Sequence, residues 1–131
     1  MSVPIGGHTA AERLSRDKDT IAQAVTAAIY VDFPDLIEKH GERGRAKCLQ
    51  DMHYNIEHLI PAVDLQQPEL FAQYVRWLDG MLRARGVATR EVRRCLELLR
   101  DEARTRFAGA EAAAVVTVIE AGLTTLATVA Q

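Results

Sequence analysis

The sequence is poor in several residues that mark common protein classes. Its 131 residues include two cysteines and one tryptophan, and aromatic residues make up 5% of the chain. Residues 1–7 lack the basic segment and the apolar core of a secretory signal peptide. We therefore expect two free thiols in the reducing cytoplasm, which excludes a disulfide-stapled secreted protein.

The charge of the chain gives no general reason to expect a nucleic acid or an anionic membrane as partner, since the net charge is -2. Residues 81–107 contain eight arginines and four acidic residues, whereas residues 1–80 contain eight basic and twelve acidic residues. The arginine-rich segment lacks the interleaved aromatic side chains that stack on bases. We predict a solvated basic face there, with an acidic partner or a propionate-bearing ligand as the alternative.

One segment, residues 108–130, is apolar enough to be weighed as a membrane helix. It contains Glu111, Glu120 and several threonines, and most of its apolar side chains are small. A membrane-spanning helix needs about 20 consecutive, mainly apolar residues with few charges. We predict a buried core helix and no membrane association.

The patterns of common catalytic and metal sites are also missing. The sequence has no glycine-rich phosphate loop, no metal-ligand spacing, and no Ser-His-Asp or paired-carboxylate arrangement. His53 and His58 lie five residues apart on one predicted helix, which separates them by about 140° and disfavours a shared metal ion. His53 alone is a candidate axial ligand for heme. We predict that the protein is not an enzyme and has no metal site.

Hydrophobic spacing of three and four residues runs through the whole chain without strand-like alternation. Glycines and prolines divide it into five main helices and one short helix. The main helices cover residues 9–30, a long stretch after Gly44 to about residue 60, residues 68–85, residues 89–107 and the final segment, and the short helix covers residues 34–40. Pro61 is expected to end or kink the long helix, and Thr89 is expected to be the N-cap of the helix that runs to about residue 107.

We predict an all-α, globin-like single domain over residues 9–131, preceded by a flexible N-terminus of residues 1–8. Periodicity alone fits a plain helix bundle equally well. The predicted helix 68–85 has two apolar rows side by side, which is more than one neighbouring helix can cover. A central position in a two-layer core, a dimer interface and a ligand cavity beside Trp77 each explain this width.

Cys48 and Asp51 form the pattern with the most chemical content. Residues three positions apart are neighbours on a helix surface, so this pair could attach a ligand covalently and hydrogen-bond its polar centre. Arg43, Arg45 and Lys47 would lower the pKa of the thiol if their side chains converge on it. The alternatives are an inert buried cysteine and an exposed aspartate. Asp51 falls on the helix flank away from the apolar stripe of that helix, which is formed by Leu49, Met52, Ile56, Leu59 and Val63. Only a groove along that flank would bring its carboxylate inward.

Cys48, Asp51 and Tyr54 are spaced as in the phycobiliproteins, the globin-like light-harvesting proteins of the phycocyanin and allophycocyanin type. Two turns, Gln67-Pro68 and Gly86-Val87, extend the resemblance, which covers about residues 21–126. The resemblance implies a bilin, which is a linear tetrapyrrole, as cofactor. It assigns a thioether to Cys48, hydrogen bonds from the central pyrrole nitrogens to Asp51, and a place in the pocket wall to Tyr54.

Three features depart from the family pattern. Gln50 stands where family members carry an arginine that binds a propionate, although one of the basic residues before Cys48 could compensate. Ala88 replaces a turn proline. The sequence before Thr9 is short for the N-terminal helical hairpin that pairs subunits into rings. We therefore expect a sensor or regulatory domain in place of a light-harvesting disc subunit.

These observations lead to three hypotheses. The first is a non-enzymatic, globin-like sensor or regulatory domain that binds a bilin. The second is a ligand-free helical module that forms a homodimer or docks on a protein partner through the apolar face around Trp77. The third is a heme-binding globin-like sensor. The residues expected to contact a ligand are Cys48, Asp51, Tyr54, Arg43, Lys47 and Trp77.

Overall fold

A computed structural model describes residues 6–128 and, for residues 36–38, the backbone alone. Over this range the chain forms six helices and no strand. The helices are α1 (Gly7–Arg16), α2 (Lys18–Asp32), α3 (Asp35–Leu65), α4 (Pro68–Ala84), α5 (Thr89–Arg106) and α6 (Gly109–Ala127). The predicted all-α, globin-like fold class is confirmed.

The first predicted helix is divided in two. Asp17, at φ -100° and ψ 12°, separates α1 from α2, although no glycine or proline marks this position. The break lets α1 pack on α3 and α6 while α2 packs on α3 and α5. Of the predicted flexible N-terminus, residues 1–5 lie outside the described part of the chain, whereas Gly7 and His8 already belong to α1.

Helix α3 contains the break that the glycines predict and passes the proline that was expected to end or kink it. Gly41 has φ 62° and ψ -159°, which separates a short first segment from the long second one. Pro61 lies inside the helix, which continues to Leu65. The end is set by Gln66 in the left-handed conformation, at φ 51°, where the backbone N–H of Gln67 reaches the carbonyl of Ala62 at 2.9 Å.

The start of α5 is capped by a residue other than the one predicted. Ala88 precedes the helix in extended conformation, and Thr89 is its first residue and is buried. The Glu91 carboxylate accepts a hydrogen bond from the Ala88 N–H at 3.0 Å. This contact satisfies an amide that the helix itself leaves free.

Helix α6 forms one side of the core. Its residues Val115, Val118 and Ile119 are fully buried. At Gly122 the α4 helix comes so near that an added Cβ would lie 3.0 Å from Phe71 and from Val75. Length and composition would also allow α6 to cross a membrane; here it packs against α4 and α5, as the core-helix prediction requires.

Candidate functional site

A large cavity lies where α2, α3, α4 and α5 meet. Its volume is about 420 Å³, within the range of roughly 300–1,000 Å³ found for ligand sites. The end of α2, the middle of α3 and the turn from α4 into α5 form its walls. The main lining side chains are Ile29, Tyr30, Phe33, Cys48, Asp51, Asn55, Leu78, Leu82, Val87, Val92 and Cys95. The cavity is thus mainly apolar, with polar and charged groups from α3, from the end of α4 and from the start of α5.

Asp51 faces this cavity. The groove that inward placement requires runs between α3 and the C-terminal end of α4, and the Asp51 side chain is 23% exposed. Burial raises the pKa of the Asp51 carboxyl, and the positive charges of Lys47 and Arg85 oppose that shift. The Lys47 Nζ atom lies 3.7 Å from Asp51 Oδ1. A carboxylate withdrawn from water in this way favours a ligand that brings N–H groups or positive charge to it.

Cys48 lines the same cavity one helical turn before Asp51 and is a free thiol. The condition under which neighbouring basic residues would lower the pKa of this thiol, that their side chains converge on it, is not met. Burial raises the pKa of the Cys48 thiol, and the negative charge of Asp51 raises it further, whereas Thr26 and Arg45 have smaller opposite effects. The thiol is therefore mostly protonated at neutral pH and is a slow nucleophile on its own.

The basic residues fail to activate Cys48 because they do not converge on it. The Arg45 guanidinium lies 5.0 Å from the centre of the Tyr30 ring, in a cation–π contact. Lys47 is held beside Asp51. Arg43 is exposed and lines neither this cavity nor the one that adjoins it.

A second cavity of about 320 Å³ adjoins the first. Four residues line both cavities: Lys47, Asp51, Leu78 and Arg85. Beyond them the second cavity is lined by the rings of Tyr54, His58, Tyr74 and Trp77. Trp77 is 60% exposed and Tyr54 is 45% exposed, so both rings are available to stack on a flat ligand. Asp51 thus lies at the border between a cavity with a thiol and a cavity with an aromatic wall.

A buried hydrogen bond fixes the aromatic wall. The Tyr74 hydroxyl donates to Asn55 Oδ1 at 2.5 Å, and the His58 ring stacks on Tyr74 with centroids 4.0 Å apart. Asn55 is 4% exposed and also lines the first cavity. Asn55 was not among the site residues predicted from the sequence. A signal was present, because Asn55 is a polar residue within the apolar stripe between Met52 and Ile56.

Arg85 was also missed. It caps the C-terminal end of α4 and lines both cavities, where its charge acts on Asp51. The sequence marks it only as the residue before Gly86, which ends the helix. Arg85 reaches the site because α4 packs across α3. The spacing of apolar residues along the sequence does not predict how these two helices pack.

His53 and His58 of α3 have different surroundings, as their spacing predicts. His53 Nε2 lies 3.1 Å from Asp19 Oδ1 and does not line the large cavity. His58 belongs to the aromatic wall of the second cavity. Among the side chains that the structure describes, no group of three or more His, Cys, Asp or Glu residues could hold a metal ion. Nothing in this geometry supports a heme ligand at His53.

The structure brings five of the six predicted ligand-binding residues together. Cys48 lines the first cavity, Tyr54 and Trp77 line the second, Lys47 and Asp51 line both, and Arg43 lines neither. The result is a thiol, a carboxylate and an ammonium group on α3, next to aromatic rings that α3 and α4 both contribute. This set can attach, orient and cover an elongated conjugated ligand.

Comparison with known proteins gives one match and one negative result. The family model described as Phycobilisome protein matches residues 8–126. No curated protein matches the chain. Members of the matching family are light-harvesting pigment proteins that typically carry bilin chromophores and assemble into oligomers. Because the match spans nearly the whole chain and the helices agree with it, this protein belongs to the phycobilisome protein family.

Proposed function

We propose that this protein is a non-enzymatic sensor or regulatory domain that binds a bilin across the two adjoining cavities. The observation that carries the proposal is the placement of Cys48 and Asp51 in the wall of one cavity, with Asp51 also bordering the aromatic one. A bound bilin would supply absorption of visible light. The two free thiols support a reducing cytoplasmic location.

Asp51 is the residue best suited to the centre of the ligand. A carboxylate accepts hydrogen bonds from several N–H groups at once, and such charge-assisted bonds are stronger than neutral ones. Burial raises the pKa of the Asp51 carboxyl, and Lys47 at 3.7 Å gives the charge only loose compensation. The inner pyrrole N–H groups of a tetrapyrrole would complete that compensation.

Cys48 is suited to attach one end of the ligand. Its sulfur would add to an electron-poor carbon–carbon double bond: a C–S bond forms, and the thiol proton passes to the adjacent carbon, with no oxidant required. Because burial raises the pKa of Cys48, little thiolate is present at neutral pH. We therefore expect unassisted attachment to be slow, with non-covalent binding preceding it.

The aromatic cavity is suited to the other end of the ligand. Tyr54 and Trp77 present open ring faces there, and Tyr74 is fixed behind them by its bond to Asn55. Stacking on conjugated rings stabilises a flat ligand beyond the burial of its area. In this arrangement the ligand spans both cavities and its middle lies beside Asp51.

A titration with free biliverdin tests the proposal. The purified chain is mixed with biliverdin, and the visible absorption spectrum is followed with increasing protein. We expect a saturable spectral change that weakens in Asp51→Asn and persists in Glu42→Gln, an exposed carboxyl on the same helix. A titration without saturation, or one that is equal in both variants, would contradict the proposed site.

One observation favours a second function. Leu70, Tyr54 and Trp77 are large hydrophobic residues at the surface, with exposures of 40%, 45% and 60%, and such residues grouped on one face can form a protein interface. A homodimer or another protein partner at this face is the alternative. Sedimentation of the ligand-free protein distinguishes them: a stable dimer that Trp77→Ala dissociates would favour the interface.

A further inference from the structure

Arg85 is a cation at the border of both cavities and has no carboxylate partner among the described residues. It lies at the C-terminal end of α4 and is exposed at the rim, and no acidic side chain of residues 6–128, with 36–38 left out, lies within ion-pair distance of it. Two other arginines, on α4 and α5, do have carboxylate partners. Arg83 contacts Asp79 at 3.2 Å, and Arg94 contacts Asp32 at 2.5 Å.

The rim around Arg85 has more positive than negative charge. Lys47 and Arg90 also line the large cavity, and the acidic groups there are Asp51 and Glu91. Glu91 already accepts the Ala88 N–H. Asp51 is occupied in part by Lys47. Lys39 and Arg90 also have no ion-pair partner among the described side chains, but they line only the large cavity. Among the described residues, Arg85 is therefore the unpaired cation that borders both cavities.

The position of Gln50 makes this capacity relevant to the ligand. Gln50 is exposed and uncharged, and its Oε1 accepts a hydrogen bond from Lys47 Nζ at 3.4 Å. At the wall that the two cavities share, α3 therefore offers a carboxylate-bearing ligand one ammonium group, Lys47, which is already shared; Lys39 lines only the large cavity. Arg85 approaches from α4, on the opposite side of the shared wall.

We propose that Arg85 binds a carboxylate of the ligand, and that it does so from α4 in place of an arginine on α3. The inference rests on the proposed function, because a bilin carries two propionate side chains. A guanidinium matches a carboxylate with two parallel N–H···O bonds, which a lysine cannot reproduce. Arg85 would thus fix which end of the tetrapyrrole faces the turn from α4 to α5.

Two forms of one ligand test the proposal. Biliverdin and biliverdin dimethyl ester share the conjugated rings, but the ester has no propionate charge. Both are titrated by absorbance into the full chain with Cys48→Ala, so that the readout is an equilibrium affinity. The variants added to this background are Arg85→Gln, Arg85→Lys and, as a matched control, Arg43→Gln, because Arg43 is exposed and lines neither cavity.

We expect Arg85→Gln to weaken binding of the free acid about tenfold, the size expected for one charge-assisted contact, and to leave the ester within about twofold. Arg85→Lys should recover part of the loss, and Arg43→Gln should change neither ligand. Equal weakening of acid and ester, or no weakening of the acid, would overturn the carboxylate contact while the bilin site stands. Absence of binding of both ligands to the background chain would overturn the proposed function, and the Arg85 contact with it.

Discussion

Replacing Asp51 with asparagine should affect stability and ligand binding in opposite directions. The substitution keeps the shape of the side chain and removes its charge. In the ligand-free protein, burial disfavours that charge, as the raised pKa of Asp51 indicates. The compensating contact with Lys47 is long, at 3.7 Å, and its lysine is 50% exposed, so it contributes only about 0.3–0.5 kcal/mol.

We therefore expect Asp51→Asn to leave the free energy of unfolding unchanged or to raise it by up to about 1 kcal/mol. For a chain of this size that corresponds to an increase in Tm of about 0–5 °C. Biliverdin affinity should fall roughly 10- to 100-fold, because a charged acceptor at the ligand centre contributes about 1.5–3 kcal/mol.

The pH dependence gives a sharper form of this prediction. A carboxyl whose pKa is raised in the folded state destabilises that state at pH values above the folded pKa. The penalty is lost as the pH falls through the folded pKa toward the ordinary value, because the group is then neutral in both states. The stability advantage of Asp51→Asn over the wild type should accordingly be present at pH 7 and disappear on acidification.

Thermal unfolding and urea unfolding of the ligand-free protein, followed by circular dichroism from pH 7 down to pH 4, measure the Tm and the free energy of unfolding. Glu42→Gln serves as the control, since it removes an exposed carboxyl from the same helix. A decrease of more than about 1 kcal/mol in the free energy of unfolding of Asp51→Asn at pH 7 would refute the reasoning. A loss of that size is expected when a well-paired carboxylate is removed from a folded protein. A biliverdin affinity of Asp51→Asn equal to that of the wild type would also refute it.

Three further predictions follow from the packing and the thiol. Tyr74→Phe should lower the free energy of unfolding by about 1–3 kcal/mol in urea denaturation, because it leaves the buried Asn55 carbonyl without its donor; Tyr54→Phe, at an exposed ring, should change it by less than about 0.5 kcal/mol. Gly122→Val should cost about 1–3 kcal/mol, since a Cβ alone would already lie 3.0 Å from α4 side chains, and an unchanged Tm would contradict that close approach. Burial raises the pKa of Cys48, so iodoacetamide at pH 7 should alkylate this thiol more slowly in the folded protein than in urea. Peptide mass spectrometry measures the two rates. Equal rates would contradict the prediction, because they would show an accessible, unperturbed thiol.

The sequence predicts the helices well where local chemistry sets their ends. Pro68 begins α4 and Gly41 breaks α3, as their backbone preferences require. The break at Asp17 was not predictable, because no glycine or proline marks it and it goes with the packing of α1 and α2 against different neighbours. Pro61 was expected to end or kink α3, but the helix continues to Leu65. Its end is set instead by the left-handed conformation of Gln66.

The candidate site was predictable to the extent that it lies on one helix. The spacing of Cys48, Asp51 and Tyr54 predicts a site on this segment of α3 without any knowledge of the tertiary structure. What the spacing lacks is the position of α4, which creates the groove beside Asp51 and brings in Arg85. The direction of the Cys48 pKa shift could not be predicted for the same reason. It depends on how far other helices bury the thiol and on whether the side chains of Arg43, Arg45 and Lys47 point toward it.

The most direct measurement asks whether Cys48 and its cavity hold a bilin in a covalent bond. The chain is co-expressed with enzymes that make bilins, and the purified protein is run on a denaturing gel stained for zinc-enhanced bilin fluorescence, beside Cys48→Ala. We predict a coloured protein whose fluorescence survives denaturation and is absent from the variant, with the variant retaining a coloured, non-covalent complex before denaturation. A wild-type protein that is purified colourless and gives no fluorescent band would contradict the account.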